Sequence, residues 1–591
     1  MVSFSKFYFF IVGMVLLCVT GCVKRDKKIK SDKDGVSTQE SIVNKYDTGK
    51  DRILNISSHI KRDVVPANKE QISYAQVKNI GHDLNVEKIA EYFDCHTVMG
   101  KAFLMETLEH PISTADTSHV LFHRKAIIAQ LVQNPGLKEE IDIILRDAAL
   151  QEQDIIEMMS DYFIGKTCPE LSNLALLKKQ GSEIYSFVEF CQTNSSMKTV
   201  STVLNILGLI CMPVCSVSLA ITAFQNAQAG FSSGESAFWS GYFAVLTGVY
   251  AYMLHSDFSK AGEKRSKIHA LNQLIYQAQA IEQICNQYKL ENQFKMSLVQ
   301  EDKQAARLVK DLKHLRYKYK KNYCFHTAGV HAFLYKIYQN DQHLAQLFAS
   351  IAEMDAYNAI ATKIIASKAR HNKFCFAKFI KAEKPIVRST LLWNLLTADA
   401  VPNSIEQDRH IILTGPNAGG KTTVIRSVLQ NIILAQSYGI AAAETFELTQ
   451  FDIIASYLNI SDDIIRGDSL FAAEIKRAQE ILQSIHSLSL HQKMFFALDE
   501  LFTGTAAQQG EECAYEFIKK VASYDQVLSI YATHFNLLKD LGENNDALIN
   551  YKVDAPTKNG DQKIVYPYTV SLGASDICVA LDMARNAHLF A

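Results

Sequence analysis

The sequence has no excess of charge of either sign. Its 61 Lys and Arg stand against 62 Asp and Glu, a net charge of −1 at pH 7. A strongly basic chain would point straight to nucleic acid; this balance names no partner and leaves room for local patches. Paired thiol chemistry is also missing: the 12 cysteines are scattered, with no CxxC pair and no Cys/His cluster at zinc spacing. Cys211 and Cys215 sit inside an apolar run and read as small core residues. Neither a disulfide framework nor a structural metal is expected, and reduced thiols suit a cytosolic face. No internal repeat is evident. At 591 residues, 48% of them hydrophobic, the chain is expected to form several domains with sizeable cores.

Long uncharged runs are present. Residues 7–23 carry no charge, and Val19-Thr20-Gly21 ahead of Cys22 fits a lipobox. The segment reads either as a lipoprotein-type signal or as an uncleaved membrane anchor. Between Thr199 and Ser256 the only charged side chain is Glu235. Residues 200–224 and 237–254 each approach spanning length, and the pair reads as a transmembrane hairpin. Lys and Arg flank these runs on one side: KRDKKIK at 24–30, SKAGEKRSK at 259–267, none in 225–236. That bias places the rest of the chain in the cytoplasm, favours the uncleaved anchor, and makes the expected location the bacterial inner membrane with a cytoplasmic C-terminal domain. Residues 24–79 are polar and read as a linker. Helical periodicity dominates 80–198 and 257–375, where 299–323 is markedly basic and could meet DNA phosphates or anionic lipid, although a solvated helix face is the commoner reading of any one of these charges.

The strongest signal lies at 409–430. The apolar run Ile411-Ile412-Leu413 enters Gly415-Pro416-Asn417-Ala418-Gly419-Gly420-Lys421-Thr422, and a helical pattern follows. This is GxxxxGK[ST] in its strand-loop-helix setting. Glycines let backbone N–H groups turn inward around phosphate oxygens, and the next helix N-terminus adds positive potential. Lys421 is expected to reach the β- and γ-phosphates of ATP, and Thr422 to ligate Mg²⁺. About eighty residues on, Phe495 to Leu498 read as a buried parallel strand ending in Asp499 and Glu500. Asp499 is expected to serve Mg²⁺ and Glu500 to act as general base on the lytic water. A third strand ends at His534, placed either to bond the γ-phosphate or the lytic water, or simply to cap the strand.

These residues resemble the MutS family. TGPNAGGKTT at 414–423 looks like its phosphate loop, and Gly467-Asp468-Ser469-Leu470-Phe471-Ala472-Ala473-Glu474 like its signature loop. LDE, Thr503-Gly504-Thr505 and the ATH of 532–534 follow in the family's order. Upstream, 94–112 resembles the start of the helical core, 350–361 its last helix, and Val401-Pro402-Asn403 the segment ahead of the loop. The resemblance implies an α/β P-loop NTPase of ABC type at 376–591, joined to an all-α core and lever domain interrupted by the hairpin. It implies Asn417, Gly420, Lys421, Thr422 and Thr423 on the nucleotide, His534 as γ-phosphate sensor, and Ser469 acting across a homodimer of ATPase domains. DNA is the implied partner. No Phe-x-Glu mismatch-reading motif occurs ahead of the core, Asp468 replaces a usually basic residue, and Leu501-Phe502 replaces part of a Gly-Arg element. These departures leave a second expectation beside DNA: a membrane-coupled mechanical ATPase that does not act on DNA.

Overall fold

The structure is a computed structural model that describes residues 73–114, 119–167, 221, 225, 266, 269–290, 341–416, 418–458, 470–558 and 564–575. The described part opens with a short strand, β1 (Gln76–Lys78), and five helices: α1 (Ile80–Asp83), α2 (Val86–Phe93), α3 (Val98–Glu109), α4 (Val120–Gln133) and α5 (Pro135–Thr167). Helix α2 shows why such segments fold. Val86, Ile89, Ala90 and Phe93 recur at helical spacing and are all buried, and the Asn85 side chain accepts from the Lys88 N–H at the helix start. Helix α3 is capped by Thr97, whose hydroxyl accepts from the Gly100 N–H at 2.8 Å. Helical residues 269–287 and α6 (Asp341–Ser367) complete the helical layer, and α6 packs on α3 and α4.

The rest is an α/β domain. After β2 (Cys375–Phe376), β3 (Lys378–Phe379), β4 (Val387–Leu392) and β5 (Asn403–Gln407) comes the fully buried strand β6 (His410–Thr414). It runs through the loop 415–420 into α7 (Lys421–Tyr438), then β7 (Ile440–Ala441), β8 (Thr445–Leu448) and β9 (Ile453–Tyr457). Helix α8 (Leu470–His486), β10 (Met494–Asp499), α9 (Ala507–Val521), β11 (Val527–Ala532), α10 (Asn536–Asn544) and β12 (Leu548–Val553) alternate after it. Three short strands end the described chain: β13 (Thr557–Lys558), β14 (Ile564–Val565) and β15 (Val570–Leu572).

Seven strands form one sheet in the order β1-β9-β10-β11-β6-β12-β15, parallel except for the last pair. Strands β6, β10 and β11 are near-continuous apolar runs, as strands covered on both faces must be. A second sheet, β3-β8-β4-β5, flanks it. Because β10, β11 and β6 are neighbours and parallel, their C-terminal ends open at one edge of the sheet, where ligands of such folds gather.

Two expectations are corrected here. Among the described residues no helix is long and apolar enough to cross a membrane, so the fold carries no supported transmembrane hairpin. A span needs about 20 predominantly apolar residues. Helix α7, buried along most of its length, carries Lys421 and Arg426 besides buried Gln430, Asn431 and Gln436. The segments 7–23, 200–224 and 237–254 lie, apart from Ile221, outside the described residues. The expected membrane-anchored location loses its structural basis by the same finding.

Candidate functional site

The site is built on the open edge of the parallel sheet. Strand β6 delivers the loop 415–420, which needs unusual backbone angles. Gly420 has φ +101°, and a Cβ there would lie 3.3 Å from the Tyr568 ring. Ala418 takes φ +62° without a glycine's freedom, a strained position of the kind that clusters at functional sites. Helix α7 starts at Lys421, so its unpaired N–H groups face the same space.

Lys421 is buried, and its ammonium donates to the Gly415 carbonyl at 3.1 Å. It also stands 2.8 Å from His534 Nε2 and 3.8 Å from Glu500 Oε1. His534 Nε2 in turn lies 3.0 Å from the same Glu500 oxygen. One nitrogen cannot accept from Lys421 and donate to Glu500 at once. With its proton, Nε2 serves Glu500; without it, Nε2 serves Lys421. The hydrogen bond from His534 holds the Glu500 carboxyl below its ordinary pKa, with Lys421 adding to it. Burial lowers the pKa of Lys421, opposed by Glu500 and Asp499. Glu500 takes a left-handed φ of +54°, and Phe502 one of +65°.

Asp499 ends β10 and accepts a short hydrogen bond from the Thr422 hydroxyl on Oδ2. Its other oxygen, Oδ1, is buried and has no partner among the described residues. Burial raises its pKa, with the Thr422 hydroxyl opposing. A carboxylate oxygen left unsatisfied beside a hydroxyl is a hard oxygen donor set, and it fits a Mg²⁺ ion held directly or through water. Beside this cluster lies a cavity of about 570 Å³ lined by Asn394, Asp399, Asn403, Ser427 and Tyr568 together with the phosphate loop. That volume suits a nucleotide-sized molecule.

Of the residues expected from sequence, Gly415, Pro416, Ala418, Gly419, Gly420, Lys421, Thr422, Thr423, Asp499, Glu500 and His534 stand together at this edge. Asn417 and Ser469 lie outside the described residues. Sequence reasoning missed the cavity wall. Tyr568 is separated from the phosphate loop by nearly 150 residues, and only β15 pairing with β12 brings it over Gly420. Asn403 holds it there, its amide donating to the Tyr568 carbonyl at 3.0 Å and its oxygen accepting from the Val570 N–H at 2.8 Å. No periodicity or motif announces such a contact.

Residues 411–590 match the family described as MutS domain V. The DNA mismatch repair protein MutS of Lactobacillus acidophilus is 30% identical over 254 residues, 42% of this chain and 28% of that protein. The MutS protein of Lactococcus lactis subsp. lactis is 33% identical over 192 residues, 32% of this chain and 22% of the relative. The DNA mismatch repair protein MSH3 of Phaeosphaeria nodorum is 28% identical over 251 residues, 42% of this chain and 22% of the relative. The chain therefore matches only about a quarter of the length of these relatives. Their names are those of DNA repair proteins, which agrees with setting the membrane-anchored location aside.

Proposed function

We propose that this chain, whose residues 411–590 match MutS domain V, is a MutS-family protein that binds and hydrolyses ATP with Mg²⁺ and couples that cycle to DNA. The observation that carries the reading is the meeting of Lys421, Thr422, Asp499, Glu500 and His534 at three adjacent strand ends. Lys421 and the N-terminus of α7 would hold the phosphates, with the nucleoside in the cavity beside Tyr568. Thr422 and Asp499 would hold Mg²⁺, which supplies charge neutralisation on the phosphates when bound. Glu500, kept ionised by His534, would take the proton of the attacking water. A γ-phosphate arriving between Lys421 and His534 would replace their mutual contact, so His534 would report its presence. The family resemblance adds a homodimer closed through the ATPase domains, with Ser469 reaching the partner's nucleotide, and the helical layer as the lever that transmits closure to DNA.

The deciding experiment is steady-state ATP hydrolysis by the full chain with and without duplex, mismatched and branched DNA at near-physiological salt. Turnover that DNA changes, and that Lys421→Ala removes, supports the proposal. Turnover indifferent to every DNA would overturn its DNA half, and absence of turnover its ATPase half.

A further inference from the structure

The short segment ahead of the helical layer reaches into the ATPase domain. Strand β1 adds to the sheet edge in register with β9, pairing Gln76 with Ile453 and Lys78 with Ala455. Helix α1, which follows, ends in Asp83, an acid only 5% exposed. Its Oδ2 accepts from the Ser456 hydroxyl at 2.8 Å and from the Leu458 N–H at 3.0 Å. These two donors flank Tyr457, whose register partner on β10 is Leu498, the residue before Asp499. On the same edge the Lys78 ammonium donates to the Ser484 hydroxyl of α8 at 2.7 Å.

The other end of α8 is tied to the turn beyond Glu500. Glu474, 1% exposed, accepts from the Thr503 N–H at 2.9 Å and hydroxyl at 3.2 Å, and from the Gly504 N–H at 3.1 Å. A Cβ on Gly504 would fall 2.7 Å from the Phe471 backbone nitrogen, so turn and helix meet with no slack. The turn needs such support. Glu500 and Phe502 both hold left-handed backbone angles, which persist only where neighbours fix them. Two routes thus lead from the N-terminal segment to Glu500: through the β9–β10 ladder, and through α8 and Glu474.

We propose that Asp83, assisted by Lys78, is a positioning residue for ATP turnover, holding β9 and α8 so that the Glu500 turn keeps its geometry. The proposal rests on the ATPase reading above and extends it to residues outside the ATPase domain. It is tested in the full chain by measuring kcat and KM for ATP, the Kd for a fluorescent ATP analogue, thermal melting, and amide exchange for Asp83→Ala, Asp83→Asn and Lys78→Met. Asp83→Ala should lower kcat roughly tenfold while KM and Kd move less than about twofold. Its Leu458 and Thr503 amides should exchange faster. Asp83→Asn should recover most of the rate, since its amide oxygen still accepts from Ser456 and Leu458. Lys78→Met should lower kcat in the same direction by a smaller factor, with melting retained. An unchanged kcat, or a parallel fall of kcat, nucleotide affinity and melting temperature without recovery in Asp83→Asn, would overturn the positioning role. A wild-type chain without turnover would overturn the ATPase reading instead. Amide exchange, which needs no nucleotide, then decides about Asp83: equal Leu458 exchange in wild type and Asp83→Ala removes the proposal.

Discussion

Lys421 is the residue on which most of the site's chemistry converges. Its charge is buried and has carbonyl, imidazole and carboxylate partners waiting where phosphate oxygens would go. Lys421→Ala should weaken ATP binding by roughly 100-fold or more, read by titration with a fluorescent nucleotide. Wild-type affinity in that variant would remove Lys421 from the site. Glu500→Gln keeps the shape and loses the base, so it should bind ATP as before and hydrolyse it roughly 100-fold more slowly or worse. Hydrolysis at the parent rate would transfer the base role elsewhere. At this scale the sequence was informative because phosphate chemistry restricts residue types at fixed spacing: Gly420, Lys421 and Thr422 are contiguous. Asp499 and Glu500 are legible for a related reason, since an apolar run ending in acids marks a buried strand reaching a polar edge.

Among elements, α3 explains why its sequence is spaced as it is. Thr97 caps it, Gly100 leaves no room for a side chain because a Cβ would lie 2.2 Å from Asp355 Oδ2, and Pro111 follows its end. Two buried acids face its N-terminus. Asp355 accepts from Thr97 N at 2.7 Å, and Glu152 from Val98 N at 2.7 Å and Met99 N at 2.6 Å. Burial pushes Glu152 from its ordinary 4.5 up to about 7, against those two N–H donors. A carboxyl whose folded pKa is raised binds its proton more tightly when folded, so its contribution to stability is fully present below 4.5 and lost as pH rises through about 7. Denaturation midpoints should therefore fall with pH across that window, and Glu152→Gln should flatten the slope; an unchanged slope would deny the shift. Helix α7 makes a second case. Its Gln436 amide donates to the Ile112 and Phe451 carbonyls at 2.7 and 2.9 Å and accepts from the Phe451 N–H at 2.8 Å. Gln436→Ala would leave those buried groups unpaired and should cost about 2–4 kcal/mol in chemical denaturation. A loss below about 0.5 kcal/mol would mean water replaces the amide. The helix was legible from its position after the phosphate loop. Its polar C-terminal half was not, because hydrogen bonding to the 107–112 region depends on contacts more than 300 residues apart.

For the whole molecule, the open prediction is assembly. If ATP closes a homodimer, Glu500→Gln should shift from monomer toward dimer with ATP and Mg²⁺, read by light scattering during size exclusion, and Lys421→Ala should not. A mass that never changes with nucleotide would sink the dimer. The sequence by itself determined the phosphate loop, its two partner strands and the motif order that it shares with the MutS family, because each is a local pattern dictated by backbone geometry or by charge at a strand end. Uncharged length alone was read as a membrane span, and among the described residues no helix is long and apolar enough to be one. Only the tertiary structure decided which distant residues join the site. Tyr568 reaches Gly420 through an antiparallel edge strand, Asp83 reaches the end of β9 through a three-residue parallel strand in a stretch that reads as linker, and Glu474 holds the turn after Glu500. A strand as short as β1 has too few residues to show a period, and its pairing energy comes from a partner more than 370 residues away.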